Sequence, residues 1–230
     1  MKRIGIIGAM DLEVEHLKSE MQISRIVDKA GMEFYTGTLK GVDVVIVRSG
    51  IGKVNAGLCA QILADVFQVT HIINTGVAGS LNAKLDIGDI LISRDALYHD
   101  VDVRIFGYQL GEVPQMGCRE FKADKAMIEA AVSSCKEVNP DIHVEVGRIL
   151  SGDQFISDKA KKETLIADFQ GDCTEMEGAA IAHSAYLNKI PIIRAISDKA
   201  DDSAEMDYPT FEREAAKHSA KLVEHMITLL

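Results

Sequence analysis

The chain has 230 residues, of which 47% are hydrophobic and 26% charged, the balance of a globular protein rather than of a disordered, collagen-like or coiled-coil chain. Its 25 basic residues are outnumbered by 35 acidic ones, which gives a net charge of −10. That charge excludes nucleic acid and anionic membranes as favourable partners, because no basic stripe offsets it. We therefore expect a small ligand that is not strongly anionic.

The sequence predicts neither a membrane span nor a disulfide framework. No apolar run approaches the roughly 20 residues that a span needs. The apolar start of the chain is soon interrupted by Asp11 and Glu13, so it indicates a buried strand rather than a signal peptide. The four cysteines are scattered without metal-ligand spacing, which favours free thiols in a reducing compartment. We expect a single domain over residues 1–230, located in the cytoplasm.

Apolar runs alternate with helical patterns along the chain, as in α/β proteins. Strands are predicted at residues 3–9, 32–39, 42–49, 71–75, 89–96, 143–150, 173–176 and 192–197. Helices are predicted at residues 12–21, 53–67, 125–136, 160–168, 177–187 and 208–230. Several strands are apolar throughout, for example at Ile72 and Ile73, which predicts a sheet covered by helices on both faces.

Small and polar residues follow five of the predicted strands. They are found at residues 8–10 (GAM), 49–52 (SGIG), 74–79 (NTGVAG), 151–153 (SGD) and 197–198 (SD). In open α/β sheets, ligands bind beyond the carboxyl ends of strands, where glycine lets the backbone approach a ligand closely. We therefore predict a small-molecule site at these strand ends.

Common nucleotide, hydrolase and metal motifs are absent. Residues 50–55 (GIGKVN) lack the third glycine of a dinucleotide fingerprint, and Lys53 is not followed by the Ser or Thr of a P-loop. No Gly-x-Ser-x-Gly occurs. His99, Asp100 and Asp102 offer too few ligands for zinc or a hard metal, so we predict a surface loop and no metal.

Three carboxylates are placed for acid–base chemistry. Glu13 follows the first strand, Glu177 follows the strand ending near Met176, and Asp198 follows an apolar strand that would raise its pKa by burial. Each alone could be a helix-capping or loop acid. Together at strand ends they suit acid–base work on a neutral substrate.

The motifs together resemble one family, the 5′-methylthioadenosine/S-adenosylhomocysteine nucleosidases. The resemblance runs in order over nearly the whole chain, at residues 5–10 (GIIGAM) with Glu13, 49–56 (SGIGKVNA), 74–76 (NTG), 78–79 (AG), 98–102 (YHDVD), 106–108 (FGY), 151–156 (SGDQFI), 175–177 (EME) and 194–198 (RAISD). It implies a nucleoside phosphorylase-like fold, a three-layer α/β/α arrangement with a central mixed sheet. It also implies a homodimer that hydrolyses the adenine–ribose bond without a cofactor.

The resemblance further implies roles for individual residues. Asp198 would be the general acid at adenine N7, and Glu13 the base for the attacking water, which Arg194 helps to hold. Glu177 would bind the 2′- and 3′-hydroxyls of the ribose. Other substrate contacts are expected at Ala78, Gly79, Phe155, Ile156 and Met176, with Phe155 stacking on adenine and the Ile156 backbone bonding its edge.

The 5′-alkylthio tail is expected among Met10, Ile51, Met176 and Tyr208, with the pocket completed from a partner subunit by Val103, Phe106 and Pro114. The chain departs from the family pattern at three positions. Val77 replaces a serine, which puts any hydrogen bond of that hydroxyl in doubt. Gly178 replaces an alanine and Tyr208 a phenylalanine, and the latter could make the tail pocket more polar.

Three alternatives stay open. A nucleoside phosphorylase needs arginines or backbone donors for phosphate, whereas the first loop offers acids and no arginine before Arg25. A related nucleosidase could act on 6-amino-6-deoxyfutalosine with the same acids. A nucleoside sensor would not need both Glu13 and Asp198. The preference among 5′-substituted adenosines, including 5′-deoxyadenosine, depends on pocket shape and stays open.

Overall fold

The structure, a computed structural model, describes residues 2–86, 88–197 and 204–230, with the backbone alone for 195–197 and 204–214. The strands are β1 (Ile4–Gly8), β2 (Gln22–Lys29), β3 (Met32–Leu39), β4 (Val42–Arg48), β5 (His71–Val77), β6 (Gly79–Ser80), β7 (Ile90–Tyr98), β8 (Phe121–Lys122), β9 (Val144–Ser151), β10 (Cys173–Glu175) and β11 (Ile192–Ser197). They form one mixed sheet in the order β2-β3-β4-β1-β5-β11-β7-β9-β10-β6, and β8 pairs in addition with β7.

Helices cover both faces of this sheet. They are α1 (Asp11–Glu20), α2 (Lys53–Asp65), α3 (Lys125–Val138), α4 (Lys159–Phe169), α5 (Gly178–Asn188) and α6 (Ala204–Leu229). Successive residues of a strand point to opposite faces, so Ile72 packs with α2 and α5 while Ile73 packs with α1, α3 and α6. The predicted α/β class with a central mixed sheet between helical layers is confirmed. No helix among the described residues is long and apolar enough to cross a membrane.

The predicted elements are all present, with ends within two residues of the prediction except for the start of α6. Three strands were missed: β2, β6 and β8. β2 is exposed along almost its whole length, so it shows no hydrophobic alternation. β6 and β8 have two residues each and are defined by their pairing partners rather than by local pattern. A short 3-10 helix at Arg104–Phe106, in the segment after β7, was also missed.

The strand ends meet in a different way than the carboxyl ends of an open sheet do. In the structure β7 pairs antiparallel with β11, so β7, β9 and β10 run opposite to β1, β4, β5 and β11. However, β5 continues through the single residue Ala78 into β6, which pairs with β10. The sheet therefore curls back on itself and brings the two sets of loops together.

Candidate active site

Glu13 is a buried carboxylate that three backbone N–H groups hold in place. It lies in the first turn of α1 and is buried. Its Oε2 accepts the backbone N–H groups of Ala9 at 2.5 Å and Met10 at 2.9 Å, and its Oε1 accepts the N–H of Val77 at 3.0 Å. The two oxygens thus join the loop after β1 to the end of β5. This bracing holds the carboxylate in one orientation.

Two glycines make room for this carboxylate. A Cβ at Gly76 would overlap the carboxyl group of Glu13, and Gly76 has a φ of 153°, outside the usual range for other residues. A Cβ at Gly8 would lie 2.9 Å from the Cβ of Glu13. Gly8 and Gly76, at the ends of predicted strands, therefore let the Glu13 side chain approach the backbone.

Arg194 extends from the centre of β11 into the same buried region. Its Nη1 donates to Asn74 Oδ1, and its Nη2 donates to the carbonyl oxygen of Val77 at 3.3 Å. Nη2 also forms an ion pair with Glu175 Oε2 at 3.0 Å. The Nε of Arg194 is buried and has no hydrogen-bond partner among the described residues. One donor of this guanidinium is thus left for a ligand.

Glu175 joins Arg194 to the start of α5. Its Oε2 accepts the backbone N–H groups of Glu177 at 2.9 Å and Gly178 at 2.8 Å, and its Oε1 accepts the hydroxyl of Ser151. In the sequence, Glu175 has no role of its own beyond its place in the 175–177 motif. Its position within a buried strand, where an unpaired carboxylate is costly, indicates that it needs a partner but not which one.

Glu177 holds the third buried carboxylate of the site. Its Oε1 accepts the backbone N–H of Gly52 at 2.8 Å, which joins the start of α5 to the loop before α2. Burial and the neighbouring charge of Glu175 raise the pKa of Glu177 to about 7, although Arg194 and the Gly52 N–H act in the opposite direction. Glu177 therefore changes its charge near neutral pH.

The charges of the site are unbalanced. Burial raises the pKa of Glu13 above its usual value, against the opposing influence of Arg194 and three backbone N–H groups. Burial alone would lower the pKa of Arg194, but Glu175, Glu177 and Glu13 outweigh it and raise that pKa. The Arg194 guanidinium thus interacts electrostatically with the carboxylates of Glu13, Glu175 and Glu177. Such an arrangement can take up a proton from a ligand and can stabilise positive charge that develops on it.

The other residues expected at the site differ in their exposure. Ala78 and Ile156 are buried. Half-buried side chains or backbone positions are found at Met10, Gly79, Val103 and Met176. Exposed side chains are found at Ile51, Phe106, Pro114 and Phe155. Two expected residues, Asp198 and the side chain of Tyr208, lie outside the described part of the chain. Among the described residues, no group of three or more His, Cys, Asp or Glu could hold a metal ion.

The raised pKa of Glu177 has a consequence for stability. The pKa of Glu177 is about 7 in the folded protein, against a usual value of 4.5. Its ionisation therefore destabilises the fold as the pH rises from 4.5 to about 7. In Glu177→Gln this penalty is absent, while the amide oxygen can still accept the Gly52 N–H. We expect the free energy of unfolding of the variant, relative to the original protein, to increase by at most about 3 kcal/mol over this pH range.

Urea denaturation at about pH 4.5 and about pH 8 measures this difference. Glu129→Gln, at an exposed position of α3, removes the same charge and should show no such trend. A constant difference between Glu177→Gln and the original protein at the two pH values would contradict the raised pKa.

Comparison with known proteins places the chain in a family. Residues 3–228 match the phosphorylase superfamily. The chain is 45% identical over 226 residues to the 5′-methylthioadenosine/S-adenosylhomocysteine nucleosidase of Halalkalibacterium halodurans, which covers 97% of this chain and 96% of the relative. The solved structure of the Colwellia psychrerythraea nucleosidase in complex with adenine is 38% identical, with a TM-score of 0.95 and coverage of 100% of this chain and 96% of that one.

A second solved structure, described as the futalosine hydrolase of Helicobacter pylori, is 31% identical, with a TM-score of 0.93 and coverage of 100% and 98%. These matches confirm the family resemblance. They also confirm the nucleoside phosphorylase-like fold that the resemblance implied. Because the match extends over nearly its whole length, the chain belongs to the 5′-methylthioadenosine/S-adenosylhomocysteine nucleosidases of the phosphorylase superfamily.

Proposed function

We propose that this protein is an N-glycosidase that hydrolyses 5′-methylthioadenosine and S-adenosylhomocysteine to adenine and the 5′-thio-substituted ribose. The observation that carries the proposal is the buried Glu13 carboxylate, held by three backbone N–H groups beside Arg194, in a chain 45% identical to a nucleosidase of that name. The reaction belongs to methionine salvage and to the recycling of S-adenosylmethionine by-products.

Glu13 acts as the base for the attacking water. Its burial raises the pKa and so makes the carboxylate a better proton acceptor than an exposed one. The Nε–H of Arg194, which has no hydrogen-bond partner in the described part of the chain, is the donor that holds this water. The serine that the family has at Val77 is not needed for the framework, since Val77 contacts both Glu13 and Arg194 through its backbone.

The buried carboxylates also suit the sugar. Breaking the bond to adenine develops positive charge on the ribose and negative charge on the base. Glu177 binds the ribose hydroxyls, and its carboxylate stabilises the cationic sugar when ionised. Ala78, Gly79 and Met176 line the sugar beside it.

Asp198 donates the proton to N7 of adenine, Phe155 stacks on the ring, and the Ile156 backbone bonds its edge. The Phe155 side chain is 61% exposed, so its ring is accessible to a ligand. Ile156 is buried among Leu97, Leu150 and Leu165, so its backbone has a fixed position.

Water rather than phosphate is the nucleophile. The loop around Glu13 presents carboxylates, and the guanidinium of Arg194 is already paired with Glu175. A phosphate dianion would meet an excess of negative charge here. The futalosine alternative has a specific basis in the 31% identical Helicobacter pylori structure, but the relatives at 40–45% identity carry the nucleosidase name.

We also propose that the protein is a homodimer, with Val103, Phe106 and Pro114 of one subunit completing the tail pocket of the other around Met10, Ile51, Met176 and Tyr208. Exposed apolar side chains support this. Val54 and Leu58, one turn apart on α2, are 73% and 49% exposed, and Ile105 and Phe106 are 89% and 76% exposed. Exposed apolar side chains on α2 and in the segment after β7 are typical of an interface. The free cysteines support a reducing compartment, for which we propose the cytoplasm.

The function is tested by product analysis after incubation with 5′-methylthioadenosine, with and without phosphate. We expect adenine and free methylthioribose at a rate that does not depend on phosphate. A sugar 1-phosphate formed only with phosphate would instead indicate a phosphorylase and would remove water from the role assigned to Glu13. Adenine release from aminodeoxyfutalosine alone would favour the second candidate.

The role of Asp198 is tested by Asp198→Asn. Without the proton donor, adenine must leave as an anion, so we expect kcat to fall by at least about 100-fold while substrate binding is largely kept. Asp202→Asn removes the same charge four residues away and should keep normal turnover. Turnover of Asp198→Asn close to that of the original enzyme would eliminate Asp198 as the general acid.

The dimer is tested by Val54→Glu, which places a charge in the proposed interface. We expect a monomer in sedimentation velocity and a KM for 5′-methylthioadenosine raised about tenfold, since the partner's side of the tail pocket is lost. Ile26→Glu, at a 47% exposed position on β2, is the matched control and should behave as the original protein. A dimeric Val54→Glu with normal KM would contradict this interface.

A further inference from the structure

Three charged residues outside the catalytic assignment form a compact cluster. Lys53 begins α2, Asp100 follows β7, and Asp153 follows β9. The Nζ of Lys53 lies 2.5 Å from Asp100 Oδ2 and 3.6 Å from Asp153 Oδ2. Lys53 does not belong to a P-loop motif and Asp100 does not belong to a predicted metal site, so neither has a role assigned above.

Backbone contacts reinforce the cluster. The N–H of Lys53 donates to Asp153 Oδ1 at 2.9 Å, so a carboxylate from 100 residues away caps the start of α2. The N–H of Asp153 in turn donates to Asp100 Oδ2 at 3.0 Å. A Cβ at Gly52 would lie 3.2 Å from Asp153 Oδ1, which shows how closely these loops approach. The three loops are therefore joined in pairs, with Lys53 at the centre.

The cluster is more than a pair of solvated charges. The side chains of Lys53 and Asp100 are only 23% and 15% exposed. Burial opposes ionisation of Asp100, but the Lys53 ammonium and the Asp153 N–H outweigh it and hold the pKa of Asp100 below its usual value. The ammonium also lies 5.5 Å from the ring centre of Tyr98, within range of a cation–π contact.

Each joined loop carries a contact of the proposed function. The loop before Lys53 carries Ile51 of the tail pocket, the loop after Asp100 carries Val103 of the partner's pocket, and the loop after Asp153 carries Phe155 of the adenine site. We propose that Lys53 is a positioning residue that, through Asp100 and Asp153, holds these three loops in the arrangement that binds the nucleoside. The assignment of the contacts rests on the proposed function, whereas the joining of the loops does not.

Lys53 differs in this respect from the residues that act on the reacting bond. Among the described residues, no hydrogen bond or ion pair joins the Lys53 side chain to Glu13, Arg194 or Glu177, so its loss should affect substrate binding before it affects the chemical step. In Lys53→Met the apolar stem is kept and the charge is removed, which leaves Asp100 and Asp153 facing each other without a cation. Like charges at such distances repel and separate the loops.

The experiment compares Lys53→Met and Lys53→Arg with Lys40→Met. Lys40 is a matched control because it also joins two carboxylates, Glu20 at 3.7 Å and Glu224 at 3.2 Å, but in the turn between β3 and β4. We expect Lys53→Met to raise KM for 5′-methylthioadenosine about tenfold with kcat changed less than about threefold. Lys53→Arg should recover most of the loss, and Lys40→Met should match the original enzyme.

Amide hydrogen exchange gives a readout that does not depend on activity. In Lys53→Met we expect faster exchange in all three loops, at residues 50–55, 98–103 and 151–156, and no such change in Lys40→Met. Unchanged exchange in the second and third loops, or a normal KM in Lys53→Met, would overturn the proposal. If the original protein releases no adenine, the proposed function fails, and the exchange data still decide whether Lys53 joins the loops.

Discussion

The pairing of one buried guanidinium with several buried carboxylates is the constraint on which the site depends. Transferring a single ion from water into a protein interior costs several kcal/mol even after relaxation, so Glu175 and Glu13 are tolerated as anions only because Arg194 and backbone N–H groups surround them. Arg194 lies in the middle of β11, where the sheet holds its backbone in place. The buried charges are therefore positioned by the sheet and by the first turn of α1, whereas Lys53 and its partners join the loops above them.

The buried charges and the loops around Lys53 are held by different kinds of contact. Glu13 and Arg194 both contact Val77 through its backbone, so these two contacts do not depend on the identity of that side chain. The other contacts of Glu13 are also to backbone N–H groups, in the loop after β1. The loops joined by Lys53, in contrast, are fixed by side chains from distant parts of the sequence, such as Asp153 on Lys53. These contacts are separate from those that hold Glu13 and Arg194.

Much of this arrangement could be predicted from the sequence because it leaves local signals. Apolar runs predicted the central strands, and glycines after strands predicted where Glu13 and Glu177 would gather. β2 left no signal, because a strand exposed on both faces needs no hydrophobic alternation. The pairing of Lys53 with Asp100 and Asp153 could not be predicted either, because no local pattern records which charges meet across a fold. Glu175 is an intermediate case: its burial was predictable from the strand, but its partner was not.

The closure of the sheet through β6 has a consequence for how the protein folds. β6 and β10 are paired through only two residue pairs, Ser80 with Cys173 and Gly79 with Thr174, which are separated by more than 90 residues in the chain. So few contacts cannot offset the entropy of closing so long a loop until β7, β9 and β11 are already assembled. We expect this seam to form late and to open first. A chain with most of its sheet in place would then still be inactive, and catalytic activity would report the last step of folding.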